Sequence, residues 1–310
     1  MRAVVSGATG AVGMALLSEL EGQGVETLVL CRKGSKRSDR IVEGRFIRKV
    51  ECSLSDMKNF TLPENERYDV FYHLAWDGTT GASRNDMKLQ NRNVEYALDA
   101  LELAKRLGCG VFVGAGSQAE YGRVEGTLTP DTPAFPENGY GIAKLCAGQM
   151  CRRACEDSGI RFVWARILSV YGPFDTEGSM VMSTIAKLAA GERPSFTAGE
   201  QIWDYMYSAD AARALYALAV NERARGVYCL GGGKADMLKN YIMAIRDTVA
   251  PKAEIGLGDI PYARGQVMYL KADISKLTAD TGFTPSVSFS EGIRLTADWY
   301  LKNNEKSELR

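Results

Sequence analysis

The sequence predicts an α/β fold in which a doubly wound parallel sheet is followed by a smaller C-terminal lobe. In the first half of the 310 residues, short apolar runs alternate with longer helical segments. That alternation is typical of a parallel sheet with helices on both faces. Past residue 168 it gives way to loops, short helices and isolated strands, interrupted by Gly172-Pro173, 231–233 and Thr284-Pro285.

Six apolar runs are the predicted strands of the sheet: 3–5, 25–30, 46–50, 69–74, 110–113 and 160–167. Between them, residues 14–20 and 89–107 have the apolar spacing of helices. A later run at 226–230 predicts that the chain returns to the main sheet. We therefore expect a first domain over residues 1–167 with a return around 202–230, and a smaller lobe over most of 168–310.

The composition is that of an ordinary globular protein, with 45% hydrophobic and 25% charged residues. Lys+Arg and Asp+Glu both number 38, so net charge draws the chain neither to nucleic acid nor to an anionic membrane. No apolar run reaches the ~20 residues that span a bilayer, and we find no signal-peptide pattern. Seven cysteines without C-x-x-C spacing and one histidine favour a reduced, cytoplasmic protein without a metal site.

Residues 4–13, VVSGATGAVG, combine a strand end, a glycine-rich turn and the start of a helix. Glycines at 7, 10 and 13 allow a tight turn, close approach to a pyrophosphate, and close packing of helix on strand. The N-terminus of the helix then offers N–H groups and a favourable dipole to the anion. This pattern predicts a Rossmann-type domain that binds a dinucleotide.

The second predicted strand is followed by Cys31-Arg32-Lys33, which contains no acidic residue. Proteins that prefer NAD usually have a carboxylate here for the ribose 2′-hydroxyl, whereas an arginine accommodates a 2′-phosphate. Arg32 therefore favours NADP over NAD as the cofactor. The alternative is that Arg32 and its basic neighbours form a solvated loop.

Tyr140 and Lys144 are one helical turn apart, on one face of a helix. A tyrosine has an ordinary pKa of about 10, and a cation within a few ångströms lowers that pKa toward the range useful for proton transfer. The pair alone is also common on solvated helix faces. Together with Ser117 and the Gly7 turn, however, it suggests a catalytic site.

With these residues the chain resembles an extended short-chain dehydrogenase/reductase of the nucleotide-sugar epimerase/dehydratase group, over nearly its whole length. Six further segments carry the resemblance: HLAW at 73–76, Asn93-Val94, GSQAEYG at 116–122, RILSVYGP at 166–173, GEQIWDYMYSAD at 199–210 and DISKLTADTG at 273–282. The resemblance implies hydride transfer between a nicotinamide cofactor and C4 of a hexose on a nucleoside diphosphate.

The same resemblance implies a role for each site residue. Tyr140 exchanges a proton with the C4 oxygen, Ser117 donates a hydrogen bond to that oxygen, and Lys144 lowers the pKa of Tyr140 and binds the nicotinamide ribose. The implied cofactor contacts are Gly7, Thr9, Gly10, Ala11, Val12, Gly13, Arg32, Ser53, Leu54, Leu74, Ala75, Trp76, Asn93, Ala115, Tyr140, Lys144 and Ile167. The implied substrate contacts are Ser117, Gln118, Ser169, Gln201, Trp203 and Arg264.

Departures from the family pattern narrow the function. Sugar 4,6-dehydratases of the group carry an Asp-Glu pair directly after the catalytic Ser or Thr, where this chain has Gln118 and Ala119, so we do not expect dehydratase activity. Ser169 replaces an asparagine that usually faces the substrate. Trp203 replaces an arginine that binds the nucleotide phosphate in many UDP-sugar epimerases, and Arg264 is shifted by one position. The nucleotide of the substrate therefore stays open.

Two reactions would use the same residues. A 4-epimerase removes and returns the hydride and regenerates its NAD in each cycle, whereas a 4-ketoreductase consumes NADPH on a 4-keto-6-deoxy sugar. Family frequency slightly favours the epimerase; Arg32 and the missing Asp-Glu pair are compatible with the reductase. A non-catalytic NADP-binding regulator is the third hypothesis, and the presence of both Tyr140 and Lys144 argues against it.

Three further expectations concern structure. His73 lies in an apolar strand end and is expected to be structural, while Trp76 either packs in the core or covers the sugar. The family often forms homodimers through a four-helix bundle, for which the helices starting near Leu89 and Tyr140 are candidates.

Overall fold

The computed structural model of the protein describes residues 1–62 and 66–308. The described residues form these strands: β1 (Arg2–Ser6), β2 (Glu26–Cys31), β3 (Ile47–Glu51), β4 (Val70–His73), β5 (Val111–Ser117), β6 (Arg161–Ile167), β7 (Ser169–Tyr171), β8 (Ser195–Phe196), β9 (Ile202–Trp203), β10 (Tyr205–Tyr207), β11 (Gly226–Leu230), β12 (Asp236–Met237), β13 (Gly256–Leu257) and β14 (Tyr269–Leu270).

The α-helices of the same residues are α1 (Ala11–Gly22), α2 (Met87–Arg106), α3 (Gly139–Ser158), α4 (Met180–Ala189), α5 (Ser208–Val220), α6 (Leu238–Val249), α7 (Ser275–Thr281) and α8 (Phe289–Glu308). Short 3-10 segments lie at Lys36–Arg40, Leu54–Asn59, Gly81–Asn85 and Gln118–Glu120. No helix in this described part is long and apolar enough to cross a membrane.

The main sheet has the strand order β11-β6-β5-β4-β1-β2-β3. Every neighbouring pair in it is parallel, which confirms the predicted doubly wound α/β fold. The order reverses between β1 and β4. In open sheets of this kind, a crevice at the carboxyl ends of the strands opens at the reversal and receives the ligand.

Alternate side chains of the strands enter two separate cores, one on each face of the sheet. On one face, Val5 and Val29 pack with Leu16 of α1 and Leu215 of α5. On the other face, α2 and α3 cover the sheet, and both Cys151 and Cys155 of α3 are fully buried there. These two cysteines therefore serve as small apolar side chains of the core.

β5 is longer than the predicted run at 110–113, because Gly114, Ala115 and Gly116 lack the bulky side chains that mark a strand. The glycines make room for Trp164 of β6: a Cβ at Gly114 or Gly116 would lie 2.3 or 2.4 Å from its indole. The extension carries Ser117 to the carboxyl end of the sheet.

The chain after residue 168 builds small sheets and then rejoins the large one. β7 pairs with β10, β9 lies between β12 and β14, and β8 pairs with β13. Within the range 202–230, β9 and β10 belong to these small sheets, while α5 packs on the main sheet and β11 pairs with β6. A separate core formed by α4, α6 and α8 supports the lobe.

Candidate active site

The glycine-rich turn after β1 has the geometry of an anion site. Gly7 has a φ of +79°, and a Cβ there would lie 2.4 Å from the Ala75 nitrogen; a Cβ at Gly13 would lie 2.5 Å from Cα of Ala8. A Cβ at Gly10 would meet nothing within 4 Å. Gly10 is also the N-cap of α1, which has no side-chain cap and no acidic residue in its first turn. The start of α1 therefore faces open space and suits a phosphate.

A cavity of about 470 Å³ lies beside this turn, at the carboxyl ends of β1, β2 and β4. Eight of the predicted cofactor residues line it: Gly7, Thr9, Arg32, Ser53, Leu54, Leu74, Ala75 and Trp76. Lining residues that sequence reasoning missed include Ser35, Arg37, Met57, Asp77 and Tyr96. The volume is in the range of ordinary cofactor and ligand pockets.

Charge at this cavity is mainly positive. Arg32 and Arg37 both line it, and among its described lining residues Asp77 is the one carboxylate. The basic loop after β2 thus contributes two arginines to the cavity wall, and both of these residues are exposed, as the solvated-loop alternative also expects. Positive charge at this cavity suits an anionic ligand, such as the pyrophosphate of a dinucleotide.

Ser117, Tyr140 and Lys144 meet where β5 ends and α3 begins. Asn138 caps α3 by accepting a hydrogen bond from Gly141 N at 2.9 Å, which places Tyr140 in the first turn. The Ser117 hydroxyl lies close enough to the Tyr140 phenol to lower its pKa, and it accepts from Ala119 N at 3.2 Å. The two residues are on different elements, so the fold itself brings them together.

The pKa of Tyr140 differs from the expectation. Burial raises the pKa of Tyr140, while the Ser117 hydroxyl and the Arg84 guanidinium lower it and Glu120 raises it further. Lys144 is not one of the groups that lower the pKa of Tyr140, and its Nζ lies 5.9 Å from the centroid of the Tyr140 ring. The phenol is therefore held in its protonated form.

Lys144 lies instead against the indole of Trp76, with its Nζ 3.8 Å from the ring centroid, and donates to the Ala115 carbonyl at 2.7 Å. Burial lowers the pKa of Lys144 to about 7, although Glu120 acts in the opposite direction. Ala115, a predicted cofactor contact, thus holds the lysine in place.

Trp76 forms one wall of the site. Its ring meets Tyr140 edge-on, with centroids 6.1 Å apart and an interplanar angle of 84°. Its Nε1 donates to Gln90 Oε1 at 2.8 Å, and Gln90 in turn donates to the carbonyls of Gly78 and Ser83. These bonds hold the indole between the cavity and the cluster of Ser117, Tyr140 and Lys144.

Glu120 is a buried carboxylate that sequence reasoning did not single out. Its Oε1 accepts from Ser117 N at 2.8 Å and from Trp164 Nε1 at 2.9 Å. Its Oε2 accepts from Arg166 Nε at 2.7 Å. The ion pair therefore anchors the backbone of Ser117 from beneath.

His73 and Asn93 are buried and do not line the cavity, but each binds a residue that does, Ser6 or Asp77. Nδ1 of His73 pairs with the Ser6 hydroxyl at 3.0 Å, and burial, together with the charge of Lys144, lowers the pKa of His73 to about 3. Asn93 accepts from Asp77 N and donates to the Asp77 carbonyl, each at 2.9 Å. The histidine is neutral, and the asparagine fixes the segment after β4.

The remaining predicted cofactor contacts lie at element ends. Ala11 and Val12 are in the first turn of α1, next to Gly10. Ile167 is the last residue of β6.

The predicted substrate residues are only partly brought together. Trp203 Nε1 donates to Ser169 Oγ at 2.8 Å, so the two departures from the family pattern contact each other. Gln118 opens the 3-10 segment after Ser117. Gln201 is 2% exposed and donates to Thr197 Oγ1 at 3.3 Å. Arg264 is exposed on a turn that Gln266 N closes by donating to the Ala263 carbonyl.

Comparison with known proteins finds a family over most of the chain. A sequence model described as the NAD dependent epimerase/dehydratase family matches residues 3–231. A curated relative, dTDP-glucose 4,6-dehydratase from Xanthomonas campestris, is 26% identical over 204 residues. The matched region covers 62% of this chain and 58% of that protein, so the chain spans less than two thirds of the relative's length.

Two solved structures are similar over their full length. UDP-glucose 4-epimerase from Thermotoga maritima, solved with UDP-glucose, has a TM-score of 0.87 at 23% identity, covering 98% of this chain and 100% of that chain. UDP-glucuronic acid 4-epimerase from Bacillus cereus, solved in complex with NAD, has a TM-score of 0.81 at 20% identity, covering 96% of each chain. At these identities the likeness shows a shared fold.

Proposed function

Because the chain belongs to the NAD dependent epimerase/dehydratase family, we propose that it is an enzyme of nucleotide-sugar metabolism that acts on C4 of the hexose. The observation that carries the proposal is the meeting of Ser117 and Tyr140 beside buried Lys144, at the sheet edge where the phosphate-binding turn and the cavity lie. A bound nicotinamide would supply the hydride exchange.

The residues of the chain would transfer the proton and position the sugar and the cofactor. Tyr140, whose raised pKa keeps it protonated, suits donation of a proton to the C4 oxygen as a carbonyl is reduced, and the reverse in oxidation. Ser117 would donate a hydrogen bond to the same oxygen and fix its position. The ammonium of Lys144 would donate to the ribose hydroxyls of the cofactor.

For the cofactor, we favour NADP. Two arginines, Arg32 and Arg37, line the cavity beyond the end of β2, where an arginine accommodates a 2′-phosphate. The family description and the structural neighbour from Bacillus cereus support a nicotinamide cofactor in general.

We propose further that the chain is not a 4,6-dehydratase, although its curated relative bears that name. Gln118 and Ala119 supply neither the acid nor the base needed to eliminate water. The adjacent carboxylate, Glu120, is bound on both oxygens by Ser117 N, Trp164 and Arg166. It is therefore committed to structure.

Between the two C4 reactions, 4-epimerisation is the first proposal, since the family frequency and both solved neighbours described above favour it. Reduction of a 4-keto-6-deoxy sugar with NADPH is the second, favoured by the arginine-lined cavity.

One experiment separates these outcomes. One sample of the purified protein is denatured, and any released nucleotide is identified. A second, native sample is mixed with NADPH and with nucleotide-linked hexoses or 4-keto sugars, and the absorbance of NADPH is followed. Retained NAD or NADP with interconversion of 4-epimers, and no net consumption, would support the epimerase, and the identity of the released nucleotide tests the NADP preference. Stoichiometric oxidation of NADPH by a 4-keto sugar would support the reductase. Cofactor binding without turnover of either class would contradict the enzymatic proposal and favour a regulator.

A further inference from the structure

Arg84 faces the catalytic tyrosine from a different part of the chain. Its guanidinium carbon lies 4.3 Å from the centroid of the Tyr140 ring. A planar cation on an aromatic face is an attractive contact, and the contact is stronger where water is excluded. Arg84 itself is half-buried.

Two hydrogen bonds hold Arg84 in that position. Arg84 Nη1 donates to the Thr79 carbonyl at 3.1 Å. The next residue, Asn85, accepts at its Oδ1 a bond from Gly139 N at 3.0 Å. Gly139 directly precedes Tyr140, so the 3-10 segment that carries Arg84 is tied to the start of α3. The two residues therefore keep a fixed spacing.

Lys144, the other cation of the site, is held elsewhere. It lies 3.8 Å from the centroid of Trp76 and donates to the Ala115 carbonyl, and its Nζ is 5.9 Å from the centroid of the Tyr140 ring. Of the two, Arg84 is closer to the phenol.

We propose that Arg84 is a positioning residue for Tyr140: it fixes the phenol ring and stabilises the phenolate during proton exchange. The inference rests on the proposed function, because it assumes that Tyr140 exchanges the proton.

The charged groups around the phenol determine whether loss of the Arg84 charge raises or lowers the pKa of Tyr140. Arg84 approaches from the Gly81–Asn85 segment, Glu120 from the segment after β5, and Lys144 from α3, with the neutral Ser117 at the end of β5. Burial raises the pKa of Tyr140, Arg84 lowers it and Glu120 raises it. Loss of the Arg84 charge therefore raises the pKa of Tyr140 further, and oxidation, which needs the phenolate, moves to higher pH.

The test compares Arg84→Gln, Arg84→Lys and Arg92→Gln, the last an exposed arginine on α2. We expect the limb of the kcat/KM profile that rises with pH, measured for oxidation of the sugar alcohol, to move up by roughly one pH unit in Arg84→Gln. Arg84→Lys retains the charge, so its pH profile should be close to that of the wild type. The control Arg92→Gln should have the wild-type profile.

A second measurement needs no turnover. Tyrosinate absorbance of the cofactor-free protein is titrated with and without Tyr140→Phe, in the wild-type and the Arg84→Gln backgrounds. The difference between the two titrations in each background gives the absorbance of Tyr140 alone. The pH at the midpoint of that difference should rise when Arg84 is replaced. Should Arg84→Gln not fold, as judged by circular dichroism, Arg84→Met, which retains the aliphatic stem, is titrated in its place.

The outcomes separate the two proposals. A lower kcat with an unmoved pH profile and an unmoved tyrosinate midpoint would assign Arg84 to structure alone and overturn the inference, leaving the proposed function intact. Full activity of Tyr140→Phe would overturn the proposed function whatever Arg84 does.

Discussion

Lys144 and Tyr140 lie in the N-terminal part of α3, and burial shifts their pKa values in opposite directions. It disfavours the charged form of each group, which lowers the pKa of the lysine to about 7 and raises that of the tyrosine. Near neutral pH the tyrosine is protonated and the lysine is poised between its two forms. Binding and proton exchange therefore depend on pH through different residues.

Cofactor affinity should fall as pH rises through 7. A ribose hydroxyl that accepts from the Lys144 ammonium raises the pKa of the lysine in the complex above its value of about 7 in the free protein. Affinity is then highest below pH 7 and decreases by up to about tenfold per pH unit between the two values. Titration calorimetry measures the cofactor affinity of the wild type and of Lys144→Met at several pH values. The difference between the two proteins reports on the lysine, because the cofactor's own phosphate titrates equally in both. Equal slopes in both proteins would show that the lysine plays no part in binding.

Replacing Tyr140 by phenylalanine should lower kcat by roughly 10² to 10⁴ while leaving cofactor affinity within a few-fold, since the change removes only the proton donor. Stopped assays of sugar conversion, with binding followed by protein fluorescence, check both parts. Tyr300→Phe, in α8, is the matched control and should retain full activity. Turnover by the Tyr140 variant would place the proton donor elsewhere.

At the scale of elements, the three glycines of the first turn have separate tasks. Gly7 touches the backbone at Ala75 and has a positive φ, and Gly13 touches Ala8. A Cβ at Gly10 would meet nothing within 4 Å, so packing of the protein does not require a glycine there, and the absence of a side chain keeps the space above the start of α1 open.

Gly7→Ala should therefore destabilise the fold by about 2 kcal/mol or more, from backbone strain and overlap with Ala75. Gly10→Ala should unfold at the wild-type midpoint but bind the dinucleotide at least about tenfold more weakly, since its methyl group enters the phosphate site. Urea unfolding and calorimetric binding distinguish the two effects. A destabilised Gly10 variant, or one that binds normally, would contradict this division.

The features that could be predicted from the sequence depend on residues close to one another in the chain. Alternating apolar runs mark the strands, and the glycine spacing and the Tyr140-Lys144 spacing lie within single elements. Contacts between distant segments left no such signal: Arg84 reaches Tyr140 from before α2, and Glu120 reaches Arg166 across a strand. The direction in which Lys144 points also depends on its contact with Trp76. For these reasons the site was predictable as a set of residues but not as an arrangement of charges.

At the scale of the whole molecule, α3 presents an apolar stripe to the surface. Ile142 is 50% exposed and Met150 46%, and exposed Cys146 lies between them at helical spacing. Such a stripe on a helix is typical of an interface, and it lies on one of the helices expected to form a homodimer.

Ile142→Glu combined with Met150→Glu should therefore convert a dimer to a monomer, because each dimer would bury four unpaired carboxylates. Sedimentation velocity at micromolar concentration measures the change. Val42→Glu, at a residue that is 79% exposed in a different region, is the control and should leave the dimer intact. A wild-type protein that sediments as a monomer would rule out this interface.

The position of β11 has a consequence for the order of folding. β11 completes the main sheet by pairing with β6, yet much of the lobe is built from the residues between these two strands. Pairings that close long loops form late. While the chain is being synthesised, β6 therefore keeps one open edge until residue 230 has left the ribosome, and open edges invite pairing with other chains. A nascent chain of this protein is at greatest risk of aggregation during that interval.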